Sequence, residues 1–187
     1  MKNTIYYLPG HGGQLATGLG EALTSRGLDV AGRETLGEFL NLAFSEQVAL
    51  VAEDLKTHFW DRDALVIANS FGGYLFLHAQ ASLPPYPGRV LILSPIVGQF
   101  SSRSIGKSFL PPCSKKLRRL AEDGAFPTPR DAHIHVGSED WQSVPENVQE
   151  FGRMTGISVT VVEKAGHRLP REYISQILDD WLVPGVA

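Results

Sequence analysis

Ser70 stands within Ala68-Asn69-Ser70-Phe71-Gly72, after an apolar run at 64–67 and before a helical pattern over 72–83. A strand, a sharp turn and a helix in that succession lift a side chain to the end of a sheet, where other loops can reach it. A serine hydroxyl there is a weak nucleophile until a base takes its proton. Two downstream segments carry the groups that such chemistry needs: Ala165-Gly166-His167 offers an imidazole, and Val136-Gly137-Ser138-Glu139-Asp140 offers two adjacent carboxylates. Serine, acid and histidine together suit attack on an acyl carbon, with the imidazole as base and a carboxylate holding its tautomer. Both Glu139 and Asp140 are candidates for that acid. Asp131 precedes its strand and so falls at the wrong end of a parallel sheet.

The chain has six histidines, so a lone one says little. His58 and His78 fall in helical patterns and read as structural or surface residues. His133 and His135 alternate in a strand and share one face. They could begin a metal site, but no third ligand is visible, and the ordinary reading as strand residues is preferred. No cofactor or metal is expected.

These groups must be held by a scaffold, and the pattern of elements says which. Strand-like runs occur at 4–8, 28–33, 64–68, 89–94, 132–136 and 157–162. Helical patterns occur at 14–26, 45–59, 72–83 and 171–182. Strands alternating with helices imply a parallel sheet in an α/β fold. The runs at 64–68 and 89–94 are apolar on both faces, as strands covered on both sides must be. At 187 residues the chain is expected to form one domain over 1–187 with a single sizeable core. Residues 95–130 are too long for a simple crossover. With Pro111-Pro112, Pro127, Pro129 and one helix at 114–121, the segment reads as a small cap or a decorated crossover.

Net charge is −3, which gives no reason to expect nucleic acid as a partner. One cysteine, Cys113, cannot close an intramolecular disulfide, which fits a reducing compartment. The first residues run straight into a strand pattern with no leader-like sequence, and no apolar stretch reaches the ~20 residues that span a bilayer. A cytoplasmic protein without stable membrane insertion is the expectation.

The chain resembles the α/β-hydrolase superfamily, in particular its small serine esterases and lipases. Ala68-Asn69-Ser70-Phe71-Gly72 is similar to the family's Gly-x-Ser-x-Gly elbow, with alanine at the first position. Leu8-Pro9-Gly10-His11-Gly12-Gly13 is similar to its His-Gly-x loop, with Pro9 where histidine is common. Gly137-Ser138-Glu139-Asp140 is similar to its Gly-x-x-Asp loop. The resemblance implies Ser70 as nucleophile, His167 as base and Asp140, in preference to Glu139, as the acid. It implies oxyanion donors at the backbone N–H groups of Phe71 and His11, with Gly12 as the fallback. It also implies a minimal three-layer α/β/α fold, about six mainly parallel strands in the order 2-1-3-4-5-6, lacking the family's first two strands. Strand reversal then falls between strands 1 and 3, and all four loops meet at one sheet edge.

The implied activity is hydrolysis of a small carboxylic ester, or a thioester or amide, through an acyl-serine, on a small-molecule acyl substrate. The alternatives are an acyltransferase or lyase on the same fold, or a non-catalytic binding protein. Arg103, Lys107, Lys115, Lys116, Arg118 and Arg119 follow one another without an intervening carboxylate. They are either a solvated helix face over inward Leu117 and Leu120 or a positive rim that favours anionic substrates.

Overall fold

The computed structural model describes residues 4–102 and 106–183. Eight strands and seven helices follow in the order β1 (Thr4–Leu8), α1 (Leu19–Thr24), β2 (Asp29–Gly32), α2 (Gly37–Asn41), α3 (Phe44–His58), β3 (Leu65–Asn69), α4 (Phe71–Gln80), β4 (Arg89–Leu93), β5 (Phe100–Ser102), β6 (Lys107–Phe109), α5 (Lys116–Glu122), β7 (Asp131–Gly137), α6 (Pro145–Thr155), β8 (Ser158–Val162) and α7 (Arg171–Leu182). Six of the strands form one sheet in the order β2-β1-β3-β4-β7-β8, and every neighbouring pair is parallel. Strands β5 and β6 form a separate antiparallel pair. With that pair set aside, the sheet has the expected order 2-1-3-4-5-6.

Strand alternation sorts the core into two layers. Tyr6, Leu8, Val66, Ala68, Val90 and Ile92 point to one face, under α3, α4, α5 and α6. Ile5, Tyr7, Ile67, Leu91 and Leu93 point to the other, where Leu23 of α1 and Leu178 of α7 cover them. The central strands are buried on both faces, which is why their sequences are apolar throughout. Burying a side chain such as Ile67 or Leu91 contributes roughly 1.5–3 kcal/mol.

Several elements differ from the sequence expectation, the β5–β6 pair among them. The helix expected over 14–26 begins only at Leu19, because Gly18 turns the chain at φ 59°. Helix α2 and helix α6 were not expected. Helix α6 starts with Pro145 at its first turn and buries Val148, Phe151 and Gly152. A Cβ on Gly152 would lie 2.4 Å from Val159 Cγ2, so glycine lets the helix approach β8 closely.

Between β4 and β7 the chain makes the β5–β6 hairpin and then α5. Phe100 packs on Phe109 and on Trp141, with ring centroids 5.3 and 5.5 Å apart. Tyr74 Oη donates to Pro112 O at 2.6 Å, and Gln80 Nε2 donates to Pro127 O at 2.7 Å. Leu117 and Ala121 of α5 are buried, and Leu120 is half-buried against the same core. Arg103 and the Lys107 side chain lie outside the described residues.

Candidate active site

The end of β3 delivers Ser70 into a turn that few residues adopt. Its φ is 53°, and α4 begins at the next residue. Left-handed backbone at a non-glycine residue is strained and persists only where its surroundings fix it. Here the Ser70 N–H donates to Leu93 O at 2.8 Å, and Ser70 O accepts from Tyr74 N at 3.1 Å. Helix α4 leaves the turn by crossing the end of β1. A Cβ on Gly72 would stand 2.1 Å from Leu8 O, so the residue two after the serine must be glycine. Ala68, two before it, is fully buried between Leu8 and Ile92 of the adjoining strands.

The loops after β7 and β8 meet by the same device. A Cβ on Gly137 would stand 2.2 Å from Ala165 O. Ser138 N–H donates to Val162 O at 2.9 Å and Glu139 N–H to Ala165 O at 2.8 Å. Lys164 N–H donates to Ser138 Oγ at 2.8 Å. This lacing brings Asp140 and His167 together although they are far apart in the chain.

His167 Nε2 lies 2.8 Å from Ser70 Oγ. Its Nδ1 lies 2.9 Å from Asp140 Oδ2 and 3.0 Å from Oδ1. Asp140 is 2% exposed, whereas Glu139 is exposed and stands outside the arrangement. Asp140 Oδ1 also accepts the N–H groups of Gln142 and Ser143, both at 2.9 Å. Ser143 Oγ donates to Ser94 O at 2.6 Å and is 3.4 Å from His167 Nδ1. A carboxylate held this way cannot rotate away from the imidazole. Asp131, at the start of β7, is exposed and faces Arg89 at 3.5 Å.

The glycine loop after β1 stands beside the serine. A Cβ on Gly10 would lie 3.3 Å from Ser70 Cβ. The rings of His11 and Phe71 pack edge to face at 5.9 Å. Gly12 N–H donates to Thr35 O at 2.8 Å, and Gly13 N–H donates to Gly10 O at 2.9 Å. The fallback donor Gly12 is therefore already engaged and is not available to a substrate oxygen. No acceptor among the described residues takes the His11 N–H. Phe71 opens α4, where first-turn N–H groups lack an intrahelical acceptor.

The remaining histidines stand apart from this arrangement. His58 is exposed on α3. His78 is buried beside Tyr74 and Phe44, at centroid distances of 4.4 and 5.0 Å. Burial, and secondarily the Lys116 charge, push its pKa down to about 4. His133 and His135 stack at 4.5 Å. His135 Nδ1 is 2.7 Å from Tyr173 Oη, and His133 Nε2 is 2.8 Å from Thr160 Oγ1. Burial, and then the neighbouring His133, push His135 down to about 4. Burial also lowers His133, against the opposing pull of Asp131.

A cleft of about 910 Å³ opens at Ser70 and His167 and runs between α1 and α7. Leu19, Ala22, Leu169, Ile174 and Leu178 give it apolar walls. Its charged residues are Arg26, Arg168 and Arg171 against Glu21. Arg26 is tied to Asp179 at 2.8 Å and Ser175 Oγ at 2.7 Å, whereas Arg168 and Arg171 are exposed with no ion-pair partner among the described residues. Lys115, Arg118 and Arg119 line a different cavity of about 470 Å³, together with Glu122 and Glu150, and that cavity contains neither Ser70 nor His167. Sequence reasoning missed Thr35, Ser143 and the two cleft arginines. Only the arginines carried a signal, as basic residues next to the candidate base.

No protein-family model and no curated protein matches the sequence. Solved structures do match over almost the whole chain. A monoacylglycerol lipase from Paleococcus ferrophilus is 14% identical with a TM-score of 0.68, over 96% of this chain and 93% of that one. The ydeN gene product of B. subtilis is 8% identical with a TM-score of 0.65, over 97% and 99%. MGS-MChE2, an alpha/beta hydrolase enzyme from the metagenome of sediments of the Mar Chica lagoon, Morocco, is 20% identical with a TM-score of 0.62, over 95% and 89%.

Proposed function

This chain has the α/β-hydrolase fold, and on that premise we propose that it is a serine hydrolase of small carboxylic esters working through an acyl-Ser70 intermediate. The observation that carries the reading is the continuous contact from Ser70 Oγ to His167 Nε2 at 2.8 Å and from His167 Nδ1 to Asp140 Oδ2 at 2.9 Å.

In the first half-reaction Ser70 Oγ attacks the acyl carbon while His167 Nε2 takes its proton. Asp140 stays ionised, keeps the proton of the neutral imidazole on Nδ1, and stabilises the imidazolium that forms. The carbonyl oxygen becomes an oxyanion, which the N–H groups of Phe71 and His11 receive. Collapse expels the alcohol, protonated by His167, and leaves the acyl group on Ser70. Water then enters, gives a proton to His167 and attacks the same carbon. Collapse releases the acid and returns the proton to Ser70. An alcohol in place of that water would make the same intermediate an acyltransferase.

The cleft between α1 and α7 supports an acyl or alkyl group of moderate size, because it opens at Ser70 and Leu19, Ala22, Ile174 and Leu178 give it an apolar side. The hairpin and α5 form a small cap on this reading, carried mainly by Phe100, Trp141 and Leu117.

The test is a series of chromogenic esters of increasing acyl length, hydrolysed by the wild type and by Ser70→Ala. The proposal expects a preferred chain length and turnover lost by several orders of magnitude in the variant. Equal turnover by the folded variant overturns it. Product analysis with an added alcohol separates hydrolysis from acyl transfer.

A further inference from the structure

Thr35 is fully buried in the segment that follows β2, and it meets the glycine loop at four points. Its N–H donates to Gly13 O at 3.0 Å, and its carbonyl accepts Gly12 N–H at 2.8 Å. Its hydroxyl accepts from Gly13 N–H at 3.1 Å and donates to Gly10 O. A threonine hydroxyl has one proton to give and two lone pairs, so both of its contacts can form together. Strands β1 and β2 are parallel neighbours, which is why the segments leaving their ends lie side by side. Gly12 is in the left-handed region at φ 76°, so the loop has little conformational preference of its own to hold it.

The pattern of these bonds is selective. Thr35 takes the N–H of Gly12 and shares that of Gly13 with Gly10 O, while the N–H groups of Gly10 and His11 find no acceptor among the described residues. The clamp thus fixes the loop next to Ser70 and leaves the N–H groups of Gly10 and His11 unengaged. A transition-state oxygen gains most from donors that are already in place and need no reorganisation.

We infer that Thr35 is a positioning residue that pre-organises the His11 backbone donor for the oxyanion. The inference rests on the acyl-serine reading above. It makes Thr35 act through the loop, without touching substrate. Its loss therefore weakens stabilisation of the tetrahedral state more than ground-state binding.

The experiment compares Thr35→Val, Thr35→Ala and Thr35→Ser with the wild type. It reads kcat and KM on a chromogenic ester, the affinity for a trifluoromethyl ketone, and thermal unfolding. The ketone forms a hemiketal with Ser70 whose oxyanion needs the same donors. Losing a direct oxyanion donor costs about 10²–10³ in kcat, so an indirect effect of about tenfold or more is expected for Val, with ketone affinity falling by the same factor and KM within about twofold. The Ser variant keeps the hydroxyl and is expected within about threefold of wild type. If Val does not fold, Ala carries the same readouts. Unchanged kcat and ketone affinity in folded Val or Ala overturns the inference, as does a change confined to KM. Failure of both to fold, with Ser active, also overturns it, because Thr35 is then a stability residue alone. If Ser70→Ala still turns over the ester, the acyl-serine reading fails instead.

Discussion

The carboxylate of Asp140 is oriented by backbone before it meets His167. Its Oδ1 accepts the N–H groups of Gln142 and Ser143, both at 2.9 Å, and lies 3.0 Å from His167 Nδ1, while Oδ2 is 2.9 Å from the same nitrogen. In Asp140→Asn the amide oxygen keeps the two backbone bonds and the NH₂ faces Nδ1. The imidazole then accepts at Nδ1 and carries its proton on Nε2, so it cannot take the serine proton. A loss of about 10⁴ in kcat is expected with the fold retained, as for a wrong tautomer elsewhere. Glu139→Gln, at an exposed carboxylate, should stay within about threefold on the same ester assay. The reverse ranking would reassign the acid.

Ser70 and His167 should act as a unit. Ser70→Ala and His167→Gln are each expected to lower kcat by several orders of magnitude, and the double variant to add little. Multiplicative losses in the double variant would separate the two residues, despite their 2.8 Å contact.

Much of this site is legible in sequence because each part sits at the carboxyl end of an apolar run. Parallel-sheet strands such as Leu65–Asn69 and Arg89–Leu93 are apolar on both faces, so their ends can be read, and the loops after them follow. The loop after β1 is legible by its glycines, but not which of its N–H groups stay unengaged. Thr35 takes the N–H groups of Gly12 and Gly13, and it belongs to a different segment with no local sequence signal. Helix α6 was illegible for another reason: its buried face includes Gly152 and Thr155, which mimic a polar pattern. The basic run of α5 stands out by density, yet Lys115 and Arg119 line the cavity between α5 and α6, and the cleft arginines lie after His167. Only the packing of α7 distinguishes the two groups.

Arg168 and Arg171 are expected to favour substrates that carry a negative charge. Arg171 opens α7, where a cation gains nothing from the helix dipole. Its replacement should therefore not destabilise the helix. At low salt, an ester with a free terminal carboxylate should be turned over about three- to tenfold more efficiently than a neutral ester of equal length. The advantage should shrink at high salt and in Arg168→Ala with Arg171→Ala. Lys115→Ala with Arg119→Ala should leave it intact. No advantage for the anionic ester at low salt contradicts the expectation.

Acid should unfold the protein through its buried histidines. The folded values of His78 and His135 lie near about 4, below the ordinary 6.5. Between those values the unfolded chain binds more protons than the folded one. Stability is then complete above about pH 6.5 and is lost as pH falls towards 4, at no more than about 1.4 kcal/mol per pH unit for each group. Urea midpoints at pH 7.5, 5.5 and 4.5 should fall in that order. His78→Leu should fall less steeply across the window, because it removes one of these groups. A flat midpoint down to pH 4.5 would contradict the assignment.

The central claim is that Ser70 is an activated nucleophile. Incubation with a fluorophosphonate ester, followed by intact-mass measurement and peptide mapping, reads this directly. Activation by a base makes the serine attack phosphorus and expel fluoride. The account predicts one adduct per chain, on Ser70, absent in Ser70→Ala and strongly slowed in His167→Gln. An unlabelled wild type, or a label on any other residue with Ser70 free, would contradict it.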